Sequence, residues 1–366
     1  MAGLRDAIVL VPGARIARQG EHLEVLINGL RSTAESVLCG EASPAVIAGL
    51  KGKRLPCTFV ATGETTQVDL FECYMSDLVP NLSQQSPLIK LREGTKVLLF
   101  WFTSGMWKAL RRHTYLVVSA IVSAVGFLLW YFSVLALGLT ALGQLKPTED
   151  SPLLTHALSL AATWGDRLGS WVVWLGLATL LGLSRADRLA DIGHFLRLYL
   201  TSDELRGAFR NRLREPLYQV VNSGEYRRVI VLAHSFGSLV AADVLADFKH
   251  PGGPSVGVIT LGSPIPVLLR MASWLPEELK RCAQNEAIQF WIDFSSRSDW
   301  MGAPVGFERE PVFPFEPSAL RDMGGLVAQF TGGAHRAYFH RREVMECLVA
   351  PDVVWDKPKE GQPRAA

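Results

Sequence analysis

The stretch Val229-Ile230-Val231-Leu232-Ala233-His234-Ser235-Phe236-Gly237-Ser238 constrains the fold of this chain more than any other. A β-branched run leads into a serine. The residues that follow, Ser238-Leu239-Val240-Ala241-Ala242-Asp243-Val244-Leu245, have helical character and small side chains to set against a sheet. Strand and helix approach closely at such a turn, so the residues flanking the serine must be small. Ala233 and Gly237 meet that need. The pattern puts Ser235 at a helix N-terminus, where the dipole favours developing negative charge.

A serine hydroxyl is a poor nucleophile until a base takes its proton. The base is expected to be a histidine held in one tautomer by a carboxylate. Residues 287–294 read as a strand, and the polar loop Ser295-Ser296-Arg297-Ser298-Asp299-Trp300 follows it. Asp299 is the expected carboxylate. Asp293, Asp322 and Glu310 compete with it, but Asp293 falls inside the strand, where a carboxylate needs pairing. Among eight histidines, His335 follows Thr331-Gly332-Gly333-Ala334 and opens His335-Arg336-Ala337-Tyr338. His340 stands in a basic cluster with Arg341 and Arg342. His234, next to the serine, is expected to turn away from its hydroxyl.

The order Ser235, Asp299, His335 is the order used by α/β-hydrolases. Residues 226–246 and 256–266 resemble a lipase or esterase of that superfamily. Ala-His-Ser-Phe-Gly-Ser is similar to the nucleophile string of lipase-like members, with Ala233 where a glycine is usual. Val258-Ile259-Thr260-Leu261-Gly262-Ser263-Pro264 resembles their next strand and turn. The resemblance implies an α/β fold, a mostly parallel sheet flanked by helices. It implies Ser235 as nucleophile, His335 as base and Asp299 as its partner. It also implies an oxyanion hole from the backbone of Phe236 and of Ala14, in the turn Pro12-Gly13-Ala14 after the strand Ala7-Ile8-Val9-Leu10-Val11. Pro12 replaces the histidine usual in that turn. Arg15, Arg18 and Gln19 follow it and could line a pocket mouth. Glu72-Cys73-Tyr74-Met75-Ser76-Asp77-Leu78 resembles a string of membrane-linked bacterial hydrolases, with no role evident from the sequence.

Composition narrows the partners. A formal net charge of +2 and the lack of a basic–aromatic stripe give no reason to expect nucleic acid. The five cysteines, at 39, 57, 73, 282 and 347, form no C-x-x-C pair and no ligand spacing with histidine. They read as buried thiols in a reducing compartment. No cofactor and no metal is expected. No N-terminal signal peptide is evident.

The middle of the chain has a different character. Residues 114–145, 32 in all, carry no charged residue and no histidine, and neither do the 17 residues 168–184. About 20 apolar residues span a bilayer. These runs therefore predict a transmembrane helical hairpin inserted at residues 113–184. Lys96, Lys108, Arg111 and Arg112 before it and Arg185, Arg188 and Arg197 after it outnumber Lys146 and Arg167 between the spans. By the positive-inside rule both flanks are cytoplasmic. The expected organisation is a hydrolase domain in two parts, 1–112 and 185–350, the hairpin 113–184 between them, and a disordered tail 351–366. The expected protein is a membrane-anchored serine hydrolase of the bacterial inner membrane, its catalytic domain cytoplasmic, acting on acyl esters, above all lipids at the bilayer. Its rivals are a thioesterase or protein deacylase, and a catalytically silent hydrolase fold used as an interaction module.

Among smaller elements, residues 21–38 read as a helix from the spacing of Leu23, Leu26, Ile27, Leu30 and Ala34. Residues 57–62 and 66–74 read as strands. Leu205, Phe209, Leu213 and Leu217 share a helix face that Pro216 is expected to bend.

Overall fold

The structure is a computed structural model. It describes residues 5–14, 17–82, 84–105, 155–165, 183–249, 256–299, 301–305, 315–319 and 332–349, with isolated positions at 121–142, 167 and 253–254. The chain divides into two compact units. One holds Met1–Val79 and Asp203–Ala366 with Lys108–Leu116, and the other holds Pro80–Trp107 and Val117–Ser202.

The first unit is built on β1 (Arg5–Val11), followed by α1 (Glu21–Thr33) and the strands β2 (Val37–Cys39), β3 (Ser43–Ile47), β4 (Leu50–Phe59) and β5 (Thr65–Glu72). Helix α1 stops at Thr33, short of the expected 38. Ala34 is already extended and the chain enters β2, so Ala34 and Val37 reach the core outside the helix. The second unit carries α2 (Pro87–Thr103) and α3 (Leu183–Thr201). The chain returns to the first unit through α4 (Asp203–Asn222), β6 (Tyr226–His234) and α5 (Gly237–Leu245). It continues with β7 (Val256–Leu261), α6 (Ile265–Leu268), α7 (Leu275–Ala283), β8 (Ile288–Ser295) and β9 (Phe315–Ala319), then α8 (Gly333–Arg336) and α9 (Arg342–Val349). Helix α4 runs through Pro216, and Phe209, Leu213 and Leu217 form its buried face.

The strands form one nine-stranded sheet in the order β2-β4-β5-β1-β6-β7-β8-β9, with β3 on β4. The pairings β5–β1, β1–β6, β6–β7, β7–β8 and β8–β9 are parallel, and the three involving β4 are antiparallel. The architecture is thus a mixed α/β one, mostly parallel with antiparallel pairs at the β4 edge, and it corrects the expected hydrolase fold with an inserted transmembrane hairpin, since among the described residues no helix is long and apolar enough to cross a membrane. Strand β7 is buried at every position and β6 at all but two, because helices cover both faces of a parallel sheet. One core gathers Ile8, Leu10, Leu26, Leu30, Leu70, Ile230, Leu232, Ile259, Ile292, Tyr338 and Met345 on one face. The chain leaves β1 to build β5 on one side and returns to lay β6 on the other. In open α/β sheets such a change of direction marks the C-terminal strand ends where ligands bind.

The cysteines are all free thiols. Two of them, scattered in sequence, face each other across β2 and β4, with Cys39 Sγ and Cys57 Sγ 3.7 Å apart.

The second unit corrects the expected transmembrane hairpin. The runs 114–145 and 168–184 lie largely outside the described residues. Among the described residues no helix is long and apolar enough to cross a membrane. In the described part of the first run, Ala124, Phe127, Trp130 and Val134 are buried, at helical spacing. A Cβ on Gly94 of α2 would come 2.7 Å from the Trp130 ring, and one on Gly193 of α3 would come 2.6 Å from Phe127. The run thus packs one face on two helices that are themselves rich in charge. Glu93 of α2 accepts from Lys96 (2.8 Å) and from Arg197 of α3 (2.8 Å). Run length alone did not register that these apolar residues pack on helices that also carry charged side chains. The reading as an integral protein of a bacterial inner membrane falls with the hairpin. The expected disordered tail, 351–366, lies outside the described residues.

Candidate active site

The parallel register aligns the strand ends that carry the candidate residues. Val11 lies opposite Ala233, His234 opposite Leu261, and Leu261 opposite Phe294. Gly13, Ser235, Gly262 and Asp299 therefore all follow C-terminal strand ends of one sheet.

Ser235 forms the turn between β6 and α5, with φ of +53°. A left-handed conformation costs a residue with a Cβ about 1–2 kcal/mol. It persists where the surroundings over-determine it. The N–H of Ser235 donates to the Leu261 carbonyl (2.8 Å), and its own carbonyl accepts from Ser238 N–H (3.0 Å). The turn after β1 presses on it from the other side. A Cβ on Gly13 would come 3.0 Å from Ser235 Cβ and 3.5 Å from its Oγ. A Cβ on Gly237 would collide with the carbonyls of Val11 and Pro12. Ala233, the departure from the usual glycine, lies inside β6, fully buried, and creates no such conflict.

Asp299 and His335 are joined. His335 Nδ1 donates to Asp299 Oδ2 at 2.8 Å, and the Tyr338 hydroxyl donates to the same oxygen at 3.0 Å. Asp299 Oδ1 accepts from Met301 N–H at 2.9 Å. Burial pushes the Asp299 carboxyl up, but the His335 imidazole and these donors outweigh it and hold the group below its ordinary value. Tyr338 is shifted the opposite way, upward, by its own burial and by the Asp299 charge. His335 sits on α8 just after Gly332, whose φ of +71° turns the chain into that helix. Its Nε2 is buried and has no hydrogen-bond partner among the described residues. The structure thus joins Asp299 to His335, while no hydrogen bond links His335 Nε2 to Ser235 Oγ.

Three residues without a role in the sequence reading support this pair. His234 does turn away from the serine hydroxyl, and its Nε2 donates to the His335 carbonyl at 2.8 Å. The two rings lie 4.8 Å apart. Burial and the neighbouring His335 push the His234 pKa down to about 3, so it is a neutral brace with its proton on Nε2. Gly262, with φ of +56°, lies where a Cβ would come 2.6 Å from Asp299 Oδ2 and 3.2 Å from His335 Cε1. Tyr338 secures Asp299. Gly262 and Tyr338 both stood in strings that the sequence picks out, and only their contacts give them a task.

Ala14 and Phe236 flank the Gly13–Ser235 contact, and the Phe236 ring packs edge-on against Phe209 at 6.0 Å. Asp293 is fully buried in β8 and accepts from Thr260 Oγ1 (2.6 Å) and Val305 N–H (2.7 Å), so it is occupied in the core. Its burial raises its pKa to about 6. His340, Arg18 and Gln19 are exposed, and Arg15, Glu310 and Asp322 lie outside the described residues. Among the described residues no cluster of His, Cys, Asp or Glu could hold a metal ion.

Comparison with protein-family models, with curated proteins and with solved structures found no match.

Proposed function

We propose that this protein is a serine hydrolase that cleaves carboxylic esters through an acyl-enzyme, and that it belongs to the α/β-hydrolase superfamily. The observation that carries the reading is the strained Ser235 turn beside an Asp299–His335 pair whose Nε2 is buried and unengaged. Ser235 Oγ attacks the ester carbonyl while His335 Nε2 takes its proton. Asp299 keeps the proton of His335 on Nδ1 and stabilises the imidazolium that forms. The backbone N–H groups of Phe236 and Ala14 receive the oxyanion, each worth about 3 kcal/mol in the transition state. His335 then protonates the leaving alcohol, and water, deprotonated by the same Nε2, releases the acid.

The preference for lipid rested on a membrane anchor and does not survive its correction. The substrate class proposed is an acyl ester, with a thioester as the alternative leaving group for the same machinery. The test is labelling of the purified protein by a fluorophosphonate, which captures an activated serine. Wild-type protein should label and hydrolyse short aryl esters, and Ser235→Ala should lose both by at least ~10³-fold. Unchanged labelling in Ser235→Ala, or none in the wild type, would sink the reading; the second result would favour the silent interaction module. A matched series of esters and thioesters separates the two substrate classes.

A further inference from the structure

The string from Glu72, the last residue of β5, to Asp77 is built against the turn that follows β1. Cys73 N–H donates to the Leu10 carbonyl at 2.8 Å and so continues the β1–β5 ladder past the end of β5. Glu72, only 8 % exposed, then reaches the segment beyond Ala14. Its Oε2 accepts from Gly20 N–H at 2.6 Å, and its Oε1 from His22 Nδ1 at 2.8 Å. Ser76, 7 % exposed, accepts from Ala17 N–H through its Oγ at 3.1 Å. The string is fixed in turn by α4. Arg212 donates to the Tyr74 carbonyl (3.0 Å) and makes a two-pronged pair with Asp77 (3.1 and 2.8 Å), while the Cys73 thiol donates to the Arg212 carbonyl (3.0 Å).

These contacts put two buried acceptors on the backbone N–H groups of Ala17 and Gly20. Residues 12–20 carry Gly13, which packs on Ser235, and Ala14, the oxyanion donor of the proposed mechanism. A loop that must present one N–H to within a few tenths of an ångström of a transient charge gains from being fixed beforehand, since no reorganisation is then needed during reaction. We propose that Glu72 and Ser76 are positioning residues that clamp the loop after β1 and so hold the Ala14 N–H in the oxyanion site. This inference rests on the serine-hydrolase reading. It gives a task to a string that the sequence singles out without explaining. His22 orients the Glu72 carboxylate. Neither Glu72 nor Ser76 touches the reacting atoms.

The test compares Glu72→Gln, Ser76→Ala and Ser76→Thr in the full chain. Two readouts are needed: steady-state hydrolysis of a short aryl ester, and amide hydrogen exchange at Ala17 and Gly20. Ser76→Ala and Glu72→Gln should each lower kcat by about 10- to 100-fold with KM within about 3-fold, the pattern of an interaction made only in the transition state. Exchange at Ala17 should quicken in Ser76→Ala, and at Gly20 in Glu72→Gln. Ser76→Thr keeps the hydroxyl and should restore both kcat and protection. Unchanged kcat in Ser76→Ala and Glu72→Gln, or a fall in kcat that only follows loss of folded protein, would overturn the proposal. If the wild type proves not to react at Ser235, the hydrolase reading fails and exchange alone decides the clamp. Unchanged protection at both amides then overturns it, and selective loss at the predicted amide supports it.

Discussion

Gly262 stands so close to Asp299 that a Cβ added to it would lie 2.6 Å from the carboxylate oxygen that accepts the hydrogen bond from His335 Nδ1. The backbone of Gly262 also has φ of +56°. One residue thus combines a conformation that favours glycine with a space that admits nothing larger, at the point where Asp299 and His335 meet.

Gly262→Ala is expected to separate that pair. A left-handed alanine costs about 1–2 kcal/mol, and the methyl must displace either Asp299 or the backbone. We expect at least ~10²-fold loss of kcat, with a lower melting temperature, measured on a short aryl ester and by calorimetry. Activity near wild type would mean that the Asp299–His335 hydrogen bond is not needed for turnover.

The two aspartates near the end of β8 should part company. Asp299→Asn presents an amide N–H or a neutral acceptor to His335 Nδ1 and disfavours the tautomer that leaves Nε2 free to accept. It should cost ~10³–10⁴ in kcat, with some loss of stability besides, since the buried carboxylate accepts from three donors. Asp293→Asn should act on stability instead, since Asp293 spends both oxygens on Thr260 and Val305. Chemical denaturation and kinetics on the same preparations separate the two effects. A reversed pattern would transfer the acid to Asp293.

Tyr338→Phe removes one of three donors to Asp299 while keeping the buried ring. The expected cost is about 1 kcal/mol of stability and a several-fold fall in kcat, far smaller than for Asp299→Asn. A loss as large as that of Asp299→Asn would show that Tyr338 acts in the reaction and does more than secure the acid.

Stability should fall on acidification, and His234 should be a main reason. Its folded pKa of about 3 lies below the ordinary value of 6.5, so the unfolded chain binds the extra proton first. Its contribution is complete above pH 6.5 and is lost as pH falls toward 3, on the order of 5 kcal/mol across that range. The lowered Asp299 works in the same direction at lower pH. Asp293 opposes both. Its folded pKa of about 6 exceeds the ordinary 3.8, so its burial penalty is relieved as pH falls from 6 to 4. His has the larger displacement and sets the net sign. His234→Gln, whose amide can still donate to the His335 carbonyl, should flatten the dependence of unfolding free energy on pH between 7 and 4. An unaltered slope would place the acid sensitivity elsewhere.

Much of this was legible in the one-dimensional pattern. The β-branched apolar run 229–233 favours a strand buried on both faces, and the small and apolar residues after Ser235 favour a helix set closely against it, as β6 and α5 are. Those two constraints are local, so they pointed to a strand, a tight turn at Ser235 and a helix in that order. The polar loop 295–300 after a second apolar strand likewise determined where a carboxylate could leave the sheet. The tasks of Gly13, Gly262, His234, Tyr338, Glu72 and Ser76 were not legible. Each depends on a contact between segments far apart in sequence, and composition near a residue carries no record of what packs on it.

The apolar runs in the middle of the chain show the same limit in reverse. Hydropathy records that Phe127 and Trp130 avoid water, but not what they avoid it against. The tertiary structure set those rings on Gly193 and Gly94 of helices that carry Glu93, Lys96 and Arg197. Apolar burial is non-directional and equally favourable against lipid or protein. The sequence by itself therefore determined which residues must be covered. Only the packing of one segment on another decided what covers them, and which buried oxygen meets which proton at the ends of β6, β7 and β8.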